Sequence, residues 1–139
     1  MSESDVAVVI QKILQVLYYI HGQGVIHRDL RPENLLLKKG ADFTDVKITG
    51  FKPMQKMPSQ ASPRGSPKNM ADYFKGPETF GNAFYTAKED DPKKDIWSVG
   101  IIAVLLLTGK LDKKHRIGQV NFQGEEWKDI SKGSKNFIR

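Results

Sequence analysis

Apolar residues recur every three or four positions near the start of the chain. They are Val6, Val9, Ile10, Ile13, Leu14, Leu17 and Ile20. This spacing places them on one face of a helix, so the sequence predicts an amphipathic α-helix over Asp5–Gln23. Ser2 or Ser4 can serve as its N-cap, and the glycines that follow the apolar run are suited to ending it.

The pattern changes abruptly after this helix. A polar octet, His27 to Asn34, lies between two short apolar runs, Val25–Ile26 and Leu35–Leu37. Each run is too short for a helix and is typical of a strand, while Pro32 supplies no backbone donor and interrupts any helical pattern. The sequence therefore predicts a loop that a strand holds at each end.

Such a loop can direct two side chains into one cleft. Asp29 is suited to accepting a proton, and Asn34 is suited to donating an oxygen ligand to a metal ion. Phosphoryl transfer requires both of these functions.

The octet reads His-Arg-Asp-Leu-Arg-Pro-Glu-Asn, and it resembles the catalytic loop of eukaryotic serine/threonine protein kinases. Every residue matches that form except Arg31, which stands where those kinases have lysine. The resemblance implies that Asp29 orients the substrate hydroxyl, that Arg31 lies beside it, and that Asn34 holds the metal of Mg-ATP. It assigns supporting roles to His27 and Arg28, of which His27 is expected to be a packed loop residue.

A strand is predicted at Val46–Ile48, and the residues after it depart from the kinase pattern. Kinases have Asp-Phe-Gly there, and the Asp binds the magnesium that bridges the β- and γ-phosphates. Here the triplet is Gly50, Phe51 and Lys52. Gly50 has no carboxylate, and Lys52 brings positive charge toward a dication, so magnesium binding is expected to fail.

Residues 53–69 are rich in proline and serine and have no periodicity, which predicts a mobile loop in the position of the activation segment. The segment after them, Tyr73–Glu78, resembles the one that closes this loop in kinases. Ala71 stands where the family has a threonine whose hydroxyl supports the catalytic Asp. We therefore expect substrate positioning to be weakened.

A second helix is predicted from Asp95 through Leu107, ending near Gly109. It is apolar on every face and must be buried. A buried Asp95 is costly unless it is hydrogen-bonded. The resemblance implies that its carboxylate accepts hydrogen bonds from the backbone of the catalytic loop.

The last part of the chain resembles calcium-dependent protein kinases at Trp127–Ser131 and Ser134–Arg139, both expected to be helical. A short charged passage, Lys110–Arg116, replaces the family's docking helix. The expected partner of Glu78, an arginine, would lie beyond Arg139.

The totals describe one domain. The 139 residues are 39% hydrophobic and 27% charged, carry a net charge of +6 and include no cysteine. The absence of disulfides is compatible with a reducing compartment, and a cytoplasmic location is expected. The longest apolar run, Val99–Leu107, is shorter than the roughly 20 residues that span a bilayer.

Together these patterns predict a mainly α fold with short β-hairpins, with residues 1–139 forming a partial kinase C-terminal lobe and its mobile segment at about 52–76. The expected function is that of an inactive kinase lobe that binds other proteins, binds no Mg-ATP by itself and self-associates through its exposed cleft. The alternative is a piece of an active ATP-dependent serine/threonine kinase with protein substrates. A basic adaptor for nucleic acid is a third and weaker interpretation of the charge.

Overall fold

The computed structural model describes residues 1–38, 42–51, 74, 76, 91–112, 114–115 and 118–139. The elements among them, in chain order, are α1 (Glu3–Gly22), β1 (Leu35–Lys38), β2 (Asp42–Ile48), α2 (Lys93–Thr108) and α3 (Lys132–Ile138). Two short 3-10 turns lie at Pro32–Asn34 and Glu125–Trp127.

Helix α1 confirms the predicted amphipathic helix, although it begins at Glu3 rather than Asp5. Ser2 is its N-cap: the Ser2 hydroxyl accepts a hydrogen bond from the backbone N–H of Asp5, and the Asp5 carboxylate accepts one from the Ser2 backbone. This reciprocal pair satisfies backbone donors that the first turn leaves open. The choice of Ser2 over Ser4 sets the earlier start.

The two strands form one antiparallel hairpin that packs against α1. Leu35 pairs with Ile48 and Leu37 pairs with Val46. The prediction of a strand at Val25–Ile26 is wrong. The Val25 N–H donates to the Ile20 carbonyl, so this run closes the end of α1 instead of pairing with a strand.

Helix α2 confirms the predicted helix and its end near Gly109, but the prediction that all of its faces are buried is wrong, because Ile96 is 49% exposed and Leu105–Leu107 are only partly buried. Ile102 and Val104 are almost completely buried, as the apolar pattern requires. Gly109 ends the helix in a left-handed conformation, φ 70°, and its N–H donates to the Leu105 carbonyl. This is the usual C-terminal role of glycine, which has no Cβ to oppose a positive φ.

The core forms where the apolar face of α1 meets α2. Val9, Ile13 and Leu17 from α1 pack with Val99 and Ile102 from α2. Leu30 and Phe74 join the same cluster, so the polar octet and the segment around residue 74 are attached to the core.

The C-terminal elements differ from the prediction. Trp127–Ser131 was predicted to be helical, but only a 3-10 turn at Glu125–Trp127 forms there. Ser131 is the N-cap of α3, and its side chain accepts a hydrogen bond from the Ser134 N–H. The helix therefore begins at Lys132, before the predicted Ser134, and an N-cap at Ser131 cannot belong to a preceding continuous helix.

The observed architecture is mainly helical with one two-stranded sheet in the part of the chain that the structure describes. The predicted loop at 53–69 falls outside those residues. No described helix is both long enough and apolar enough to cross a membrane.

Candidate catalytic loop and its supports

Asp95 anchors the loop from the first turn of α2. Its side chain is almost fully buried. One carboxylate oxygen accepts a hydrogen bond from the His27 N–H at 2.9 Å, and the other accepts one from the Arg28 N–H at 2.9 Å. The Nε2 atom of His21 lies 2.8 Å from the same carboxylate. Hydrogen bonds of this kind offset the cost of burying a charge.

Arg28 holds a backbone conformation that few side chains adopt. Its φ is 67°, and among the described residues no other non-glycine residue has a positive φ. A left-handed conformation costs an L-residue roughly 1–2 kcal/mol. The hydrogen bonds that the His27 and Arg28 N–H groups donate to Asp95 stabilise this turn, which connects α1 to the loop.

The imidazole of His27 is completely buried beneath the loop. Its Nδ1 atom accepts a hydrogen bond from the Asp29 N–H at 3.3 Å, and its Nε2 atom lies 2.8 Å from the Thr49 carbonyl oxygen. Because a carbonyl oxygen can only accept, Nε2 carries the proton and the ring is neutral. The ring of Phe51 packs against it with centroids 4.6 Å apart.

The side chain of Asp29 is accessible, as a proton acceptor requires. About a quarter of it is exposed, and Arg31 Nε lies 3.9 Å from its Oδ1. The same Nε atom lies 3.9 Å from a carboxylate oxygen of Glu33. At this separation Arg31 supplies positive charge between two carboxylates without close hydrogen bonds to them.

Asn34 joins the loop to the end of β2. Its carboxamide Nδ2 donates to the Asp29 carbonyl at 2.7 Å. The backbone carbonyl of Asn34 accepts hydrogen bonds from the Thr49 N–H at 2.9 Å and from the Thr49 hydroxyl at 3.3 Å. The side chain therefore bridges the loop internally, while the backbone ties it to the residue before Gly50.

Gly50 lies directly against the Asn34 side chain. It has a φ of 77°, and a Cβ built on it would lie 2.5 Å from both Cγ and Oδ1 of Asn34. The space beside residue 50 is thus filled by the asparagine carboxamide.

The whole chain, residues 1–139, matches the family model for the protein kinase domain. The chain belongs to the protein kinase family. Its relatives include two proteins of Oryza sativa subsp. japonica, calcium-dependent protein kinase 14, with 31% identity, and calcium-dependent protein kinase 2, with 32%. Calcium/calmodulin-dependent protein kinase type 1 of Macrobrachium nipponense is 31% identical.

Each comparison covers 99% of this chain but only part of the relative. The chain spans 27% of the length of each rice kinase and 41% of the Macrobrachium kinase. The resemblance to calcium-dependent serine/threonine kinases is therefore confirmed over the full length of this sequence, which corresponds to less than half of those proteins.

Protein kinases use Mg-ATP, and the residues present do not fit its metal. Gly50 offers no side-chain oxygen, and the Thr49 hydroxyl donates a hydrogen bond to the Asn34 backbone carbonyl. No group of three or more histidine, cysteine, aspartate or glutamate side chains suited to a metal occurs among the described residues. Asn34 Oδ1 remains as one oxygen, whereas Mg²⁺ prefers an octahedral set that includes carboxylates.

The predicted site residues divide into two sets. The structure brings His27, Arg28, Asp29, Arg31, Asn34, Gly50 and Asp95 together around one loop. Lys52, Ala71 and Glu78 lie outside the described residues. Ser98, on α2, connects this region to the segment before Glu78 by donating to the Phe74 carbonyl at 2.8 Å.

Sequence reasoning missed two supports of the loop. These supports are His21, which contacts the Asp95 carboxylate, and Thr49, which contacts both His27 and Asn34. The position of His21 in the last turn of α1, just before the loop, is a signal that could have indicated its contact with Asp95. No comparable signal marks Thr49, because its contacts are made largely by the backbone.

A large groove among the residues that the structure describes is separate from this site. An open, mainly apolar groove of about 1190 Å³ lies between α1, α2 and α3, with Tyr18, Ile96, Leu107 and Phe137 on its walls. Of the residues around the loop, only His21 contributes to its lining. The candidate catalytic side chains are therefore not enclosed by this groove.

Proposed function

We propose that this chain is the C-terminal lobe of a degenerate protein kinase domain, that it is catalytically inactive, and that it acts through protein binding. Gly50 is the observation that carries the proposal. A kinase places a carboxylate here to hold the magnesium that neutralises the phosphate charge. With a glycine at this position, the magnesium ion loses the carboxylate that would hold it.

Thr49 and Asn34 do not compensate for this loss. The neutral Thr49 oxygen serves a bond within the protein. Asn34 supplies one neutral oxygen, which replaces none of the negative charge that a carboxylate at position 50 would bring to a magnesium site. The lost ligand therefore affects both the number of oxygens and the charge of the site.

Exposed apolar side chains beside the loop support a protein-binding role. Leu36 is 53% exposed, Leu37 is 43% exposed and Phe51 is 46% exposed. They lie on β1 and just after β2, on the hairpin that follows the loop. Because successive strand residues point to opposite faces, Leu36 and Leu37 expose apolar area on both faces of the hairpin, and exposed apolar area is a feature of interaction surfaces. We propose a protein partner at this hairpin, and a second copy of the chain is one such partner.

The alternative is that the chain is a piece of an active serine/threonine kinase. The intact support of the loop favours this alternative, because Asp95 holds both N–H groups and Asp29 remains accessible. In that protein the nucleotide-binding residues would lie in sequence outside this chain. Arg31 would supply positive charge near the transferred phosphate, although its planar guanidinium is not equivalent to a lysine ammonium.

Calorimetry separates these two functions. Mg-ATP is titrated into this chain and into a longer protein that also contains a nucleotide-binding lobe, and phosphate transfer to a generic peptide is measured in parallel. The inactive proposal predicts no magnesium-dependent heat and no transfer from either protein. Transfer by the longer protein that disappears in an Asp29→Asn variant would establish the active alternative.

Sedimentation tests the binding surface. We expect this chain to self-associate, and we expect the paired change Leu36→Ser and Leu37→Ser to weaken that association. Tyr18→Ser is the matched control, because Tyr18 is also an exposed apolar residue but lies on α1. A monomer at all concentrations, or equal effects of both variants, would count against the hairpin surface.

A further inference from the structure

We propose that the Asn34 carboxamide occupies the space that a side chain at position 50 would need, so that Asn34 and Gly50 form an interlocked pair that disfavours any residue with a Cβ at position 50. This inference deepens the proposed loss of magnesium binding, and its first test does not depend on that loss. It predicts that restoring a carboxylate at position 50 fails to restore a metal site.

The overlap at residue 50 is steric. A Cβ there would lie 2.5 Å from Cγ, 2.5 Å from Oδ1 and 2.6 Å from Nδ2 of Asn34. Real Cβ atoms essentially never come within 3.0 Å of a heavy atom outside their own and the two adjoining residues. All three of these contacts come from the carboxamide, so a side chain at position 50 requires this one planar group to move.

The carboxamide is held in place. Its Nδ2 donates to the Asp29 carbonyl at 2.7 Å, and rotation away from Gly50 would break this bond. The backbone of Asn34 is fixed as well, because its carbonyl accepts two hydrogen bonds from Thr49. A side chain at position 50 can therefore be accommodated only if the loop loses an internal contact.

The conformation of Gly50 adds a second and separate cost. Its φ is 77°, which disfavours any residue with a Cβ. Gly24 provides a matched control, because its φ is 73° and nothing lies within 4 Å of its Cβ position. Gly24→Ala measures the cost of the positive φ alone, whereas Gly50→Ala measures that cost and the overlap together.

The first experiment is a mutant cycle read by urea unfolding. Gly24→Ala is expected to lower the folding equilibrium constant by about tenfold, which is the cost of a left-handed conformation. Gly50→Ala is expected to lower it by a further fivefold or so, since the Asn34 bond must also be displaced. In an Asn34→Ala background, the effect of Gly50→Ala should fall to that of Gly24→Ala.

Asn34→Asp separates volume from hydrogen bonding, because the carboxylate keeps the shape of the carboxamide but cannot donate. The extra effect of Gly50→Ala should persist in this background. Equal effects of Gly50→Ala and Gly24→Ala in the parent protein would overturn the interlock, and this comparison requires no change at Asn34.

The second experiment measures Mn²⁺ binding to Gly50→Asp. We expect no gain in Mn²⁺ affinity over the parent protein and a loss of stability at least as large as that of Gly50→Ala. Tighter Mn²⁺ binding at unchanged stability would overturn the inference. Mg-ATP binding by the parent protein would instead contradict the proposed function and leave the steric coupling intact.

Discussion

The carboxylate of Asp95 accepts a hydrogen bond from the backbone N–H of His27, a residue 68 positions earlier in the chain. Its second oxygen accepts from the next N–H, that of Arg28. One buried side chain at the start of α2 thus fixes the backbone that leads to Asp29, and this contact links the central helix to the chemistry of the loop.

Replacing this carboxylate should destabilise the protein. Asp95→Asn puts an NH₂ group where an oxygen accepts from a backbone N–H, so one buried donor loses its partner. Hydrogen bonds to charged groups contribute about 1.5–3 kcal/mol, and we expect the free energy of unfolding to fall by about that amount. Urea denaturation measures it.

Asp129→Asn is the control, because Asp129 is exposed. It should change the free energy of unfolding by less than about 0.5 kcal/mol. Equal effects of the two substitutions would show that the Asp95 bonds contribute little to stability.

The protonation of His27 follows from its two partners. The Asp29 N–H donates to Nδ1, and the Thr49 carbonyl accepts from Nε2. The tautomer with the proton on Nε2 is therefore expected. Nitrogen chemical shifts of the imidazole report this tautomer directly, and a proton on Nδ1 would contradict the described geometry.

His115 should make stability depend on pH. Burial lowers the pKa of His115, and the charges of Asp112 and Glu126 partly oppose this shift. A histidine with a depressed folded pKa stabilises the protein most above its unfolded pKa, about 6.5. The contribution is lost as the pH falls from that value through the folded pKa.

Protonation would also end the hydrogen bond from the Asp112 N–H to His115 Nδ1. Unfolding of the parent protein and of His115→Gln is compared between pH 8 and pH 5. The stability difference between them should change across this range. A constant difference would show that His115 titrates alike in the folded and unfolded states.

Glu3 should contribute to stability in a lower pH range. Hydrogen bonds from the hydroxyls of Ser134 and Ser131 lower the pKa of Glu3, as does the bond from the Ser131 N–H. A carboxyl group whose pKa is lower in the folded state stabilises the protein above its unfolded-state pKa, about 4.3. This stabilisation is lost as the pH falls through the folded-state pKa.

Glu3→Gln should therefore remove part of the acid sensitivity of unfolding below about pH 4.3. Ser134→Ala should reduce the depression of the Glu3 pKa itself, which carboxyl carbon shifts measure. The pKa of Asp5 is also lowered, mainly by the Ser2 hydroxyl, and it serves as the internal reference. A Glu3 pKa unchanged by Ser134→Ala would contradict the described contact.

Periodicity and local motifs predicted much of the fold. The spacing in α1 and the uniform apolar character of α2 place both helices, and the octet places the loop between them. The prediction of a strand at Val25–Ile26 failed because a short apolar run can follow the end of a helix as readily as it can form a strand. The contact between Asn34 and Gly50 was not predictable, since it depends on the rotation of one side chain into space left by another residue.

The central claim is that the metal position of this kinase-family loop no longer binds metal. Paramagnetic Mn²⁺ in the presence of ATP tests it, with the side-chain amide signals of Asn34 and the backbone signal of Phe51 as reporters. We predict that these signals broaden no more than the signal of Ser131, the N-cap of α3, which contacts Glu3 at the start of α1. Selective loss of the Asn34 and Phe51 signals at low Mn²⁺ concentration would contradict the claim.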